Sequence, residues 1–165
     1  MNLGMYQCIL VPIPRCASGA MATVLKQDRT NYTSKELKDM LGARQWETTF
    51  TFAFVRHPID RFLSSFAATA PMFEEYEEVH IQDIPRHNFI LFRPQVDYLT
   101  EEVNFIGRYE NIDKDWEKLA KKIGFPTPLP KINVTTNPKD KILTKDEEGW
   151  VREYYKEDFT RFGYR

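Results

Sequence analysis

The sequence predicts an α/β fold, in which a central parallel sheet is covered by helices on both faces. Three short apolar segments, 6–13, 50–55 and 103–106, are typical of buried strands. They alternate with segments in which apolar residues recur at helical spacing. Because such alternation is typical of parallel sheets, we expect three layers, with the sheet in the middle.

Length and composition fit one domain that spans residues 1–165. The chain is 42% hydrophobic and 14% aromatic, and its net charge is −1, which gives no electrostatic case for a nucleic-acid binder. It has no apolar run of about 18 residues for a membrane span, and no basic N-terminal segment of a signal peptide. Its two cysteines, Cys8 and Cys16, are too few for a disulfide framework or a zinc site. We therefore expect a cytoplasmic protein; the Golgi lumen would apply only to a domain trimmed from a membrane-anchored enzyme.

The first strand leads into a loop of small residues, 14–20, and then into a helix that includes residues 21–25. Small side chains let backbone N–H groups close on an anion at a helix N-terminus, so this order is typical of a phosphate cradle. It is not a Walker A loop, because GxxxxGK[ST] is absent. The same pattern also fits a plain tight connection.

A second helix is predicted from Thr33, which forms a capping box with Glu36, to a stop at Gly42. Its apolar face would consist of Leu37, Met40 and Leu41.

The most informative segment runs from Phe50 to Phe66. Arg56 follows the second strand directly, and Pro58 suits the first turn of the next helix. Ser64 lies off the apolar stripe of that helix, about 9 Å along the axis from Pro58. We therefore expect Arg56 and Ser64 to share one anion near the helix start, although a solvated Arg is the alternative. The apolar stripe consists of Ile59, Phe62, Leu63 and Phe66.

The segment 67–83 is acidic and is either a solvated face or a part of a binding site for an acceptor. His80 and His87 lie in or near it, and each is a candidate base for taking a proton from a hydroxyl group.

The last third of the chain predicts two more helices. Asp113 is expected to cap one of them and Gly124 to end it. A proline-rich loop follows, over 125–141, and Thr144 forms a second capping box with Glu147. The final helix would bury a stripe of Val151, Tyr154, Tyr155, Phe159 and Phe162.

Several of these motifs resemble sulfotransferases, the enzymes that use PAPS (3′-phosphoadenosine 5′-phosphosulfate). RHPIDRFLSSF, from Arg56, resembles their Arg-x-Pro-x-x-Arg-x-x-Ser pattern, in which the Arg and Ser positions, here Arg56 and Ser64, hold the 3′-phosphate. The segment 13–20 resembles their 5′-phosphosulfate loop. That likeness implies donor-binding roles for Arg15, Cys16, Ala17, Ser18, Gly19 and Ala20.

The segment 13–20 departs from the family's loop pattern in two places. Arg15 occupies the position of the family's catalytic Lys, and Gly19-Ala20 replaces a pair of hydroxyl residues. The segments 94–99, 106–112 and 155–164 are similar to further family motifs. In addition, 129–135 resembles a donor-covering segment of carbohydrate sulfotransferases, which implies Thr135 as a donor ligand.

The resemblance implies a short, divergent, PAPS-dependent sulfotransferase with a P-loop-like fold and no metal. Its donor would be PAPS, and its acceptor a hydroxyl or amine of a small molecule, carbohydrate or peptide. Arg15 would act on the leaving phosphate, and His80 or His87 would act as the base. A PAPS-binding protein with impaired catalysis and a small-metabolite kinase are the alternatives.

Overall fold

The computed structural model describes residues 6–73, 81–83, 89–126, 128–129 and 142–165. The chain divides into two compact units. The first unit comprises residues 1–56 and 95–134, and the second comprises 57–94 and 135–165. Within the described residues, no helix has the length and apolar content needed to cross a bilayer.

The first unit holds a parallel sheet in the order β1-β2-β3. Its strands are β1 (Cys8–Leu10), β2 (Phe50–Val55) and β3 (Phe105–Arg108). Leu10 pairs with Phe52, and Val55 pairs with Arg108. The predicted α/β fold with a parallel sheet is thus confirmed, and β2 has the predicted bounds. Since all three strands run the same way, their carboxyl ends lie along one edge of the sheet.

The helices of the first unit are α1 (Ser18–Leu25), α2 (Ser34–Leu41), α3 (Ala43–Thr48) and α6 (Ile112–Ile123), with 3₁₀ turns at Gln95–Tyr98 and Tyr109–Asn111. Of these helices, α1 packs on β1, α3 on β2 and α6 on β3. The capping box of Thr33 and Glu36 is confirmed, as is the stop at Gly124 in the left-handed region.

The first strand is shorter than predicted, because Pro12 and Pro14 have no N–H groups with which to continue the ladder. The N–H of Val11 still donates to the carbonyl of Phe52 at 2.8 Å. The third strand starts two residues later than predicted. Asn104 instead holds Thr51 through its side chain, whose Oδ1 accepts from the Thr51 N–H at 2.7 Å.

Two local predictions on the first unit are wrong. Met40 is 51% exposed, because the buried face of α2 follows Ser34 and Leu37 and continues to the half-buried Leu41. Asp113 does not cap α6, which begins at Ile112, directly from the preceding 3₁₀ turn, and has no side-chain cap.

The second unit has its core between helices. Its helices are α4 (Pro58–Phe73), α5 (Phe89–Phe92), α7 (Lys145–Tyr154) and α8 (Lys156–Phe162). The helix start at Pro58 and the capping box of Thr144 and Glu147 are confirmed. The predicted final helix is two helices, since Tyr155 leaves helical geometry between α7 and α8 and its hydroxyl donates to the Phe92 carbonyl at 2.7 Å. The buried core cluster contains Phe62, Ile81, Phe92, Val151 and Tyr155.

Gly107 allows β3 to approach the ring of Phe54, its partner on β2. A Cβ at Gly107 would lie 2.5 Å from that ring. We therefore expect Gly107→Ala to lower the free energy of unfolding by about 1–3 kcal/mol through overpacking, measured by urea denaturation. Gly149→Ala is the control, because a Cβ there in α7 meets nothing within 4 Å. It should raise stability by about 0.5–1 kcal/mol, and an unchanged midpoint for Gly107→Ala would contradict the expectation.

Candidate functional site

The carboxyl edge of the parallel sheet brings together three segments that follow the strands. The loop 11–17 follows β1, Arg56 follows β2, and Tyr109 follows β3. Open parallel sheets bind their ligands at this edge, in the crevice outside the strand ends. The first unit thus places two segments predicted to bind an anion, the loop and Arg56, at one position in the fold.

The loop has an uncommon backbone conformation at two residues that are not glycine. Arg15 has φ of 66° and Ala17 has φ of 62°, both in the left-handed region, whereas the φ of Cys16 between them is not positive. Such residues cost about 1–3 kcal/mol each and cluster at ligand sites. Alternation of this kind is the backbone pattern of anion-binding nests, in which successive N–H groups converge.

Helix α1 starts where the loop ends. The carbonyl of Ala17 accepts from the N–H groups of Ala20 and Met21 at 3.1 and 3.2 Å, and no side chain caps this end. The N–H groups of Ser18 and Gly19 precede these first intrahelical bonds, so they belong to the positive end of the helix dipole. The side chains of Cys16, Ser18 and Ala20 are buried. An anion at this point would therefore meet the backbone of the loop more than its side chains.

Gly19 has open space around it, because a Cβ there would meet no atom within 4 Å. The departure from a hydroxyl residue at this position is therefore not imposed by packing.

Arg56 approaches the loop directly. Its side chain is buried, with 7% exposed, and its Nη1 donates to the carbonyl of Arg15 at 3.4 Å. The guanidinium also lies 4.2 Å from the centre of the Tyr109 ring, a cation–π contact with the residue that follows β3. Arg56 is thus held by the segments after both neighbouring strands.

Arg15 and Arg56 influence each other electrostatically. Burial lowers the pKa of the Arg15 guanidinium, and the positive charge of Arg56 lowers it further, whereas Tyr109 and Cys16 raise it. Arginine nevertheless stays protonated at neutral pH. Two like charges that are close together and partly removed from water repel each other, and a bound anion relieves that repulsion.

Gln95 completes the arrangement, although the sequence did not predict it. Its amide is buried and forms hydrogen bonds of 2.8 Å with both backbone groups of Arg56. Tyr109 was missed in the same way. Both residues lie in segments that resemble family motifs, the Pro-Gln of 94–99 and the Arg-Tyr of 106–112. That similarity was the signal that would have found them.

The second unit carries the rest of the Arg-x-Pro-x-x-Arg-x-x-Ser pattern. Ser64 is buried on α4, and its predicted role as an anion ligand stays a prediction. Arg61 has no exposed surface, and its Nη2 donates to the carbonyl of Leu91 at 3.2 Å, as the hydroxyl of Ser65 does at 2.9 Å. The second Arg of the pattern therefore supports the fold of this unit.

Three predicted site residues, His80, His87 and Thr135, lie outside the residues that the structure describes. Across the described part of the chain, no group of three or more His, Cys, Asp or Glu side chains is placed to hold a metal ion.

One segment of the chain matches a known protein family. Residues 13–86 match the model of the Sulfotransferase family. No curated protein and no solved structure gives a significant match. The matched segment covers somewhat less than half of the chain and includes the loop, β2, Arg56 and Ser64. Over this segment the chain is similar to the sulfotransferase family.

Proposed function

We propose that this protein transfers a sulfuryl group from PAPS to a hydroxyl or amine of a small-molecule, carbohydrate or peptide acceptor. The observation that carries the proposal is the convergence of Arg15 and Arg56 at the carboxyl edge of the sheet, beside the left-handed loop and the start of α1. The match of residues 13–86 to the Sulfotransferase family model supports the reaction class.

The chemistry of these groups fits a doubly phosphorylated adenosine. PAPS is anionic at both its 3′-phosphate and its 5′-phosphosulfate. The fork of a guanidinium matches a phosphate with two parallel hydrogen bonds, and a helix N-terminus with converging N–H groups suits a second anion. We assign Arg56 and Ser64 to the 3′-phosphate, and the segment from Arg15 to Ala20, with Thr135, to the 5′ end.

The donor supplies the sulfuryl group: its S–O bond to the phosphate breaks, an S–O or S–N bond to the acceptor forms, and the acceptor loses a proton. Arg15 and the N–H groups of the loop would stabilise the negative charge that grows on the leaving phosphate. Arg56 would orient the nucleotide for in-line transfer. His80 or His87 would take the acceptor proton.

A calorimetric titration of the wild-type protein tests the donor. Adenosine 3′,5′-bisphosphate, the product left after transfer, should bind about 10- to 100-fold more tightly than 5′-AMP, because only the former carries the phosphate assigned to Arg56. Equal affinities would contradict the assignment. Tighter binding of ATP in the presence of Mg²⁺ would point to a kinase instead.

A nucleotide-binding protein without turnover is the second candidate. It is favoured by Arg15 at the position of the catalytic Lys and by the absence of hydroxyl side chains at Gly19 and Ala20. Transfer of labelled sulfate from PAPS to a panel of hydroxylated acceptors separates the two candidates, since only the enzyme yields a labelled product.

A further inference from the structure

The side-chain amide of Gln95 acts as a backbone partner for Arg56. Its Oε1 accepts from the Arg56 N–H, and its Nε2 donates to the Arg56 carbonyl, both at 2.8 Å. These are the two bonds that a directly opposite residue of an antiparallel strand would form. The pairing of β2 with β3 ends at Val55, so Gln95 supplies the backbone hydrogen bonds of Arg56, the residue directly after the last pair.

The same amide also reaches the loop after β1. The Sγ of Cys16 donates to the Gln95 Oε1 at 3.4 Å. Cys16 lies between the two left-handed residues of that loop, Arg15 and Ala17. One buried side chain therefore connects the backbone of Arg56 with the loop that carries Arg15.

The burial of Gln95 protects the hydrogen bonds that connect Arg56 with Cys16. Gln95 has no exposed surface, so water cannot replace its hydrogen bonds when the side chain is altered. Without the amide, the N–H and carbonyl of Arg56 would lose these partners, and the start of the Arg56 side chain would be free to shift. A displacement of about 1 Å in a site that positions a substrate can cost about 100-fold in rate.

Gln27 forms the same kind of clamp elsewhere in this unit. Its Oε1 accepts from the Leu10 N–H at 3.0 Å, its Nε2 donates to the Cys8 carbonyl, and the residue is buried. Cys8 and Leu10 lie within β1, before the loop. Gln27 is therefore a matched control for the structural cost of losing such a clamp.

We propose that Gln95 is a positioning residue, which fixes the backbone of Arg56 relative to Cys16 and so sets the spacing of the two guanidinium groups that bind the donor. The proposal rests on the proposed function, because the spacing matters only if the two guanidinium groups bind the donor. Gln95 acts through Arg56 and the loop.

The test compares Gln95→Met with Gln27→Met. Each substitution removes one pair of hydrogen bonds between a glutamine amide and the backbone, and both keep side-chain length. Both should lower the thermal unfolding midpoint by similar amounts. Only Gln95→Met should weaken the binding of adenosine 3′,5′-bisphosphate, by about 10- to 100-fold. The affinity of Gln27→Met for this nucleotide should stay within about threefold of wild type. Hydrogen exchange at the Arg56 N–H should quicken in the Gln95 variant alone.

Two results would overturn the proposal: nucleotide affinity that is unchanged in Gln95→Met, or an equal loss in Gln27→Met, which would trace the loss to stability. If Gln95→Met does not fold, Gln95→Asn takes its place. Asparagine keeps the amide but is one methylene shorter, so it cannot reach both backbone groups of Arg56 with the geometry of the wild-type bonds. Gln95→Asn should therefore bind the nucleotide more weakly, and wild-type affinity would equally overturn the proposal.

Wild-type protein that does not bind the nucleotide would contradict the proposed function itself, and this inference with it. Wild-type protein that binds, with both glutamine variants unaffected, would overturn the inference alone.

Discussion

Replacing Arg56 by alanine should weaken the binding of adenosine 3′,5′-bisphosphate by about 100-fold or more. The guanidinium is buried, and its contacts with the Arg15 carbonyl and the Tyr109 ring hold it in place before any ligand arrives. A preformed cation loses little conformational freedom on binding. Hydrogen bonds to charged groups contribute about 1.5–3 kcal/mol each, and a phosphate can accept two from one guanidinium. Calorimetric titration measures the loss directly.

Two further variants make that measurement specific. Arg44→Ala removes an exposed guanidinium from α3 in the same unit and should leave the affinity unchanged. Arg56→Lys keeps the charge and loses the planar fork, so its affinity should lie between wild type and Arg56→Ala. Unchanged binding by Arg56→Ala would remove this residue from the site.

Replacing Arg15 by alanine should lower the rate of sulfuryl transfer by about 100- to 1,000-fold, the usual cost of deleting a group that stabilises developing charge. Binding of the desulfated product should fall by less, because the backbone of the loop and Arg56 remain. The measurement is labelled-sulfate transfer at saturating PAPS, with product affinity determined in parallel. A variant with full turnover would contradict the catalytic role of Arg15.

Arg15→Lys separates the two candidate functions. Lysine is no worse suited than arginine to the left-handed conformation at this position, so the loop should keep its shape. If the wild-type chain is an enzyme, the variant should retain turnover within about tenfold, because a compact ammonium also stabilises a leaving phosphate. Transfer by the variant with none by wild type would instead identify a nucleotide-binding protein that has lost catalysis.

The parts of the fold that follow from local signals were predictable. The bounds of β2, the helix start at Pro58 and the two capping boxes each depend on residues within a few positions of one another. The early end of β1 was equally local, since prolines that cannot donate to a ladder follow Val11. The break at Tyr155 has no such local signal, and the hydroxyl of Tyr155 bonds to Phe92, 63 positions away.

The candidate site also has one part that the sequence predicts and another part that it does not. The proximity of Arg56 to the loop follows from parallel strands, whose carboxyl ends share an edge, so this part was predictable from the strand positions alone. The clamp by Gln95 joins residues 39 positions apart, so no local pattern predicts it, and the similarity of 94–99 to a family motif was the signal for it. Tyr109 is similar, because an aromatic residue after a strand is ordinarily read as core.

The interior position of Arg61 has a consequence for anyone who surveys this segment by alanine scanning. Loss of a fully enclosed guanidinium leaves the Leu91 carbonyl with one donor fewer and an internal void, so the Arg61→Ala protein should be inactive for want of native protein. An activity screen in cell extract would score this position and Arg56 alike. The yield of folded protein distinguishes Arg61, which supports the fold, from Arg56, for which we propose a role in nucleotide binding.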